Sequence, residues 1–125
     1  MRHAAVMVHN RTRGTLVARR AELATSWWAR LRGLIGRSGL PAGEALIIRP
    51  CSSIHTCFMS FPIDVIFADA RNRVVLARPG VGVGRLGPLA PGARYVIELP
   101  AGALAASRTE PGDVLEWAPC PEAAA

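Results

Sequence analysis

The chain contains no lysine: all 15 of its cationic side chains are arginine. With its abundant Ala, Gly and Pro, that usage reads as a GC-rich coding bias, so the basic balance by itself argues for a solvated surface over a phosphate-binding face. Cysteine is scarce. Cys51, Cys57 and Cys120 are an odd set, which excludes a disulfide framework in a reducing compartment. No apolar run approaches the ~20 residues that a helical membrane span requires. The stretch Ala4–Val8 is too short for a secretory leader and is followed closely by Arg11 and Arg13, so a cytoplasmic protein that is not integral to a membrane is expected. Internal repeats and linkers are also missing. One domain over residues 1–117 is expected, with a flexible tail over 118–125. Catalytic signatures are equally sparse: there is no nucleophile elbow, no oxyanion-hole glycine run, and no GK[ST] ending after the glycines of 80–87.

What the chain does have is enough apolar content for a core. Half of its 125 residues are hydrophobic and 19% are charged, the balance of a globular protein. The net charge of +6 is uneven. Residues 1–50 hold nine Arg against Glu22 and Glu44, and residues 51–125 hold six Arg against seven acids.

Periodicity predicts mostly strands. Ala4–Asn10 and Thr15–Ala18 flank the turn Asn10–Gly14 as a hairpin. Trp27, Leu31, Leu34 and Ile35 recur at helical spacing, predicting a helix over 21–35. Short strands follow at Ala45–Ile48, Ile54–Met59, Ile63–Phe67, Val74–Leu76, Tyr95–Leu99 and Val114–Trp117. Pro62 bars a regular central strand at its own position, residues 78–93 read as a long irregular connection, and Ala101–Ser107 as one or two helical turns. About eight strands with one helix and a second short one define a mainly β fold, a small β-sandwich or partly closed, jelly-roll-like barrel.

Several motifs then appear in a fixed order. Arg32-Gly33-Leu34-Ile35-Gly36-Arg37 is followed by the strand Glu44–Ile48. Next come Ser53-Ile54-His55-Thr56-Cys57-Phe58-Met59-Ser60-Phe61-Pro62-Ile63-Asp64, then Tyr95-Val96-Ile97-Glu98-Leu99-Pro100-Ala101-Gly102, and finally Gly112-Asp113-Val114. In order and spacing these resemble the uncharacterised ACR family (domain of unknown function 192), in the bacterial branch reading S-I-H-T-x-F-M-x-F-P-I-D. The resemblance implies a small, mainly β fold of sandwich or jelly-roll type and no particular reaction. His55-Thr56 and Phe58-Met59 stand where many members have Trp-Met and Asn-Thr.

Chemistry-bearing residues concentrate in the central motif. On an extended strand His55, Cys57 and Met59 share one face, and a histidine beside a thiol is the arrangement that activates a nucleophile. Positions i and i+2 lie ~6.5–7 Å apart, so ring and thiol need not meet, and a polar residue hydrogen-bonded within or beside the sheet is the favoured account of His55. Cys51, His55 and Cys57 offer soft ligands but lack a zinc knuckle and a fourth donor, so no metal and no cofactor are expected. Asp64, among apolar neighbours, either accepts backbone N–H bonds or lines a pocket. Glu98 pairs with an arginine such as Arg94 or faces water. The aromatic residues Trp27, Phe58, Phe61, Tyr95 and Trp117 serve as core anchors or as a patch for a ligand, whereas Trp28 lies off the apolar face beside Arg32.

The leading expectation is a non-enzymatic binding or accessory module for a small molecule or protein, with His55, Thr56, Cys57, Asp64, Trp28 and Arg37 as its candidate site. The first alternative is an enzyme with His55 as general acid or base and Cys57 or Asp64 as partner. The second is an electrostatic binder of nucleic acid or anionic lipid through Arg11, Arg13, Arg19, Arg20, Arg30 and Arg32, with nucleic acid disfavoured.

Overall fold

Strands dominate the computed structural model, which describes residues 5–24, 39–50, 53–55, 61–82 and 86–121, with the backbone alone for 53–55 and 86–89. In chain order they are β1 (Ala5–Asn10), β2 (Thr15–Ala24), β3 (Glu44–Ile48), β4 (Ser53–His55), β5 (Ile63–Ala68), β6 (Val74–Val81), β7 (Leu86–Leu89), β8 (Tyr95–Pro100) and β9 (Leu115–Pro119). A single short helix, α1 (Ala103–Ser107), completes the described elements. Seven strands form one sheet in the order β6-β5-β8-β3-β2-β1-β9, and β4 pairs with β7 separately. All neighbours in the large sheet are antiparallel except β2 and β3.

The sheet curls into a half-barrel, the partly closed form of the two architectures that the sequence leaves open. Among the described residues, closure occurs at one bridge. Edge strands β6 and β9 meet at an antiparallel bridge between Arg73 and Val114. There Val74 N–H donates to the Asp113 carbonyl and Leu115 N–H to the Asn72 carbonyl, both at 2.8 Å. Alternation sorts the side chains into two layers. Val8, Val17, Ile47, Ile66, Val74, Ile97 and Leu115 pack together with Leu104 of α1. Because strands from both edges contribute, this layer is the concave interior. Leu46, Ile48, Val65, Phe67, Val81 and Val96 form a second cluster on the convex face. Strands β5 and β8 supply both, which explains why β5 is buried at every position. Ile63, Val65, Ile66 and Phe67 are each fully buried, at about 1.5–3 kcal/mol apiece relative to exposure.

The structure departs from the sequence reading at three places. Residues 21–24, expected in a helix, extend β2 and pair with β3; the remainder of that helix lies outside the described residues. Residues 78–93 are not one irregular connection, since β6 runs to Val81 and β7 occupies Leu86–Leu89. Pro79 and Gly80 are tolerated because β6 is an edge strand, where a missing donor breaks no ladder. At the C-terminal side, Ala118 and Pro119 pair with Met7 and Val6, and Cys120 is buried beside the Arg19 carbonyl. The first two residues of the expected tail therefore belong to β9, and Cys120 packs directly after it.

Candidate functional site

Of the residues singled out from sequence, Asp64 has its full environment described. It points into the concave layer from β5 and is 1% exposed. Its Oδ1 accepts the Gly80 N–H at 2.8 Å, and its Oδ2 accepts those of Gly102 at 3.0 Å and Leu104 at 2.9 Å. Five residues make too short a helix to persist alone. Asp64 supplies the acceptors that the first turn of α1 lacks and ties that turn to β6. Backbone N–H acceptance, one of the two roles read from the sequence, is thus the arrangement seen. The backbone of His55 lies in β4, opposite Leu86 of β7. Its side chain, together with Thr56, Cys57, Trp28 and Arg37, lies outside the described residues. Glu98, read as paired or facing water, is 4% exposed on the convex face and so does not face water.

A second buried polar cluster closes the barrel. Asn10 at the end of β1 donates from Nδ2 to Thr109 Oγ1 at 3.1 Å and Asp113 Oδ2 at 3.0 Å, while its Oδ1 accepts the Arg13 N–H at 3.0 Å. Asp113 Oδ2 also accepts from Arg13 Nε and from the Glu110 N–H, and Arg13 reaches the Glu110 carboxylate as well. Burial alone pushes the Asp113 carboxyl up. The hydrogen bonds from Asn10, the Glu110 N–H and Arg13 more than offset this and hold it below the ordinary carboxylate value. Every group of this cluster is satisfied by another, which marks it as a fastener.

A different region has the form of a site. Where β6 and β9 part beyond their bridge, a concavity of about 820 Å³ opens between β9 and the β5–β6 turn. Its wall is aromatic: Tyr95 and Trp117 meet edge to face, with centroids 5.1 Å apart and planes at 75°. Arg49 lies over the Trp117 ring at 5.2 Å. Around these rings stand Arg11, Arg71 and Arg94, so four guanidiniums face two carboxylates, Asp69 and Glu116. Both carboxylates are engaged. Glu116 pairs with Arg11 at 3.4 Å, and Asp69 Oδ1 accepts the N–H groups of Arg71 and Arg73. Those bonds, the one from Arg73 foremost, hold the Asp69 carboxyl below its ordinary value. The Tyr95 hydroxyl donates to Asn72 Oδ1 at 2.9 Å. Burial pushes this phenol up to about 12, although the nearby Trp117 indole N–H and Arg49 favour its ionised form. The indole N–H approaches Tyr95 without hydrogen-bond geometry, leaving a buried donor with no acceptor among the described residues.

Tyr95 comes from β8 and Glu116 and Trp117 from β9, whereas Arg11, Arg49 and Asp69 directly follow β1, β3 and β5, Arg71 and Asn72 lie in the β5–β6 turn and Arg94 directly precedes β8; barrel curvature brings them together. Sequence reasoning singled out Arg11, Tyr95 and Trp117, for other reasons, but gave no weight to Arg49, Arg71 or Asn72. The available signal was the turn Asp69–Arg73, where Asn72 takes a left-handed φ of 62°.

Fold and site together describe a β half-barrel whose mouth is a cationic, aromatic-walled concavity. The chain belongs to the family described as Uncharacterized ACR (domain of unknown function 192), which it matches over residues 8–117. It is 34% identical to a UPF0127 protein of Thermococcus sibiricus over 118 residues, covering 89% of this chain and 74% of that one. It is 32% identical to a UPF0127 protein of Thermococcus kodakarensis, covering 93% and 76%. Among solved structures it resembles a protein of unknown function from Novosphingobium aromaticivorans, with a TM-score of 0.76, 26% identity and coverage of 90% and 84%. It also shares its fold with a transcription-regulator candidate from Sinorhizobium meliloti, with a TM-score of 0.79, 19% identity and coverage of 93% and 94%. No described helix is long and apolar enough to cross a membrane.

Proposed function

We propose that this domain is a non-catalytic binding module that takes an anionic ligand with a flat apolar part at the mouth of the half-barrel. The observation that carries this reading is the Tyr95–Trp117 wall with Arg49, Arg71 and Arg94 around it, Arg11 being paired with Glu116. Guanidiniums do not titrate in the physiological range and present forked donors to carboxylate or phosphate. Tyr95, with its phenol held protonated, serves as a fixed donor and not as a base. Both features suit recognition better than proton transfer. The His55–Asp64 alternative is weakened by the engagement of Asp64 with three backbone N–H groups. The electrostatic alternative is weakened because Arg11 and Arg13 are paired with carboxylates and Arg20 lies 3.9 Å from Glu22.

Isophthalate, a flat dicarboxylate, is a suitable probe. Titrated into the protein, it is expected to perturb the Trp117 indole and Arg49 side-chain NMR signals. Arg49→Ala or Arg94→Gln is expected to weaken its binding about tenfold, equivalent to ~1.4 kcal/mol. Native mass spectrometry of freshly purified protein checks independently for a co-purified anion. Signals unmoved at millimolar isophthalate would remove this reading.

A further inference from the structure

The concavity contains a stretch of sheet edge with no strand beside it among the described residues. Leu115 and Trp117 reach it from the concave side of β9, whereas Glu116 and its partner Arg11 reach it from the convex side. A space lined by both faces of one strand contains that strand's hydrogen-bonding edge. Backbone parity shows which groups lie there. The Val114 carbonyl accepts from Arg11 N–H and its own N–H donates to Thr12 Oγ1, so residue 114 points toward the β1 side. The Leu115 N–H points the other way, to the Asn72 carbonyl. Because successive residues alternate, the Leu115 carbonyl and the Trp117 N–H and carbonyl also point away from β1. Continuing the Arg73–Val114 register would set Trp117 opposite Ala70, but the chain there is already turning through Asp69–Asn72. Pro119, lacking an N–H, ends the edge on the far side. Three outward backbone groups without a partner among the described residues remain between a blocking turn and a proline.

We propose that this edge receives the free C-terminus of an extended peptide, added as a short antiparallel strand beside β9. The inference rests on the binding-module reading and specifies its ligand. Two features select a chain end. The β5–β6 turn closes the line of the added strand, so a through-running segment has no exit. Positive charge outweighs negative at the closed end: the blocking turn carries Arg71 and Asp69, the latter accepting two backbone N–H groups, and Arg49 and Arg94 line the same concavity. A terminal carboxylate fits there and a terminal ammonium is repelled. Strand addition supplies main-chain bonds whatever the side chains, and the Tyr95–Trp117 wall offers a flat apolar surface to one residue of the ligand. A peptide whose carboxylate lies at the turn runs from Pro119 toward Leu115, antiparallel to β9.

The test compares two pools of N-acetylated pentapeptides, one with free C-terminal carboxylates and one amidated, on the full chain. The carboxylate pool is expected to bind at least tenfold more tightly. It should shift the Trp117 backbone amide resonance downfield and slow the hydrogen exchange of that amide. Arg71→Gln is expected to reduce the preference for carboxylate severalfold without loss of fold, because only the backbone N–H of Arg71 is used by Asp69. Equal binding of the two pools, or binding that leaves the Trp117 amide unchanged, would overturn the inference. If isophthalate still binds at Arg49 and Trp117 in that case, the binding-module reading survives alone. If neither probe perturbs the site, both fall.

Discussion

Asp64, Asp113 and Tyr95 show how burial assigns roles to single groups. Asp64→Ala leaves three backbone N–H groups without their acceptor, at about 1–3 kcal/mol for each that stays buried and dry. A loss of about 3 kcal/mol in urea unfolding is expected, with a smaller loss for Asp64→Asn, which keeps one carbonyl oxygen. The Asp113 and Asp69 carboxyls, both held below their ordinary value, set the acid limit. Their contribution is complete above the unfolded carboxylate range near pH ~4 and is lost as pH falls through the lower folded values. Asp113→Asn should flatten that part of the stability profile. Tyr95 acts at the opposite end of the scale. Its phenol is raised to about 12, so its contribution is complete below the unfolded value near ~10 and is lost as pH rises toward 12. It is the only tyrosine in the chain, so an ultraviolet difference titration reports on it alone, and Tyr95→Phe should abolish the alkaline loss.

Among elements, strands with a clear apolar alternation were legible. Val6 and Val8, the run Ile63–Phe67 and Tyr95–Leu99 announced β1, β5 and β8 because burial requires that pattern of any sheet. Val74–Leu76 announced the start of β6, and what hid its continuation was composition: Arg78, Pro79 and Gly80 break the alternation, and they are admissible because, among the described residues, no strand pairs on the outer side of β6 there. The β2 extension was hidden differently. Ala21, Leu23 and Ala24 carry little intrinsic strand preference, and their pairing with β3 is a tertiary decision. The candidate site was the least legible part. Tyr95 and Trp117 read equally well as core anchors, and both do pack against the concave core. Their second role depends on Arg49 and Arg71, which a sequence shows only as two arginines among 15. Gly102, at φ +99° with open space around its Cβ position, offers a clean test at this scale. Gly102→Ala should cost about 1 kcal/mol through backbone strain alone, loosening α1 while leaving anion binding at the far end of β8 intact.

At the scale of the molecule, the described strands of the half-barrel meet at one bridge and part beyond it. Hydrogen exchange should rank accordingly. Amides of β5 and β8, covered on both faces, are expected to exchange last, and the outward amide of Trp117 early. Cutting the fastener with Asn10→Ala should cost about 2 kcal/mol and raise exchange at the Arg73–Val114 bridge before it raises exchange in β5. Equal acceleration everywhere would mean that closure and core unfold as one unit.

The fastener joins residues 103 positions apart, Asn10 and Asp113. On the ribosome, at ~5–20 residues per second, Asn10 emerges roughly 5–20 s before its partner. Through that interval the edge of β1 that β9 will cover has no neighbour, and Asn10 Nδ2 lacks both of its protein acceptors, Thr109 and Asp113. Nascent chains stalled short of Asp113 would therefore carry a ready template for strand pairing with other chains, and the demand for chaperone protection during synthesis falls on the first hairpin, not on the strands made last.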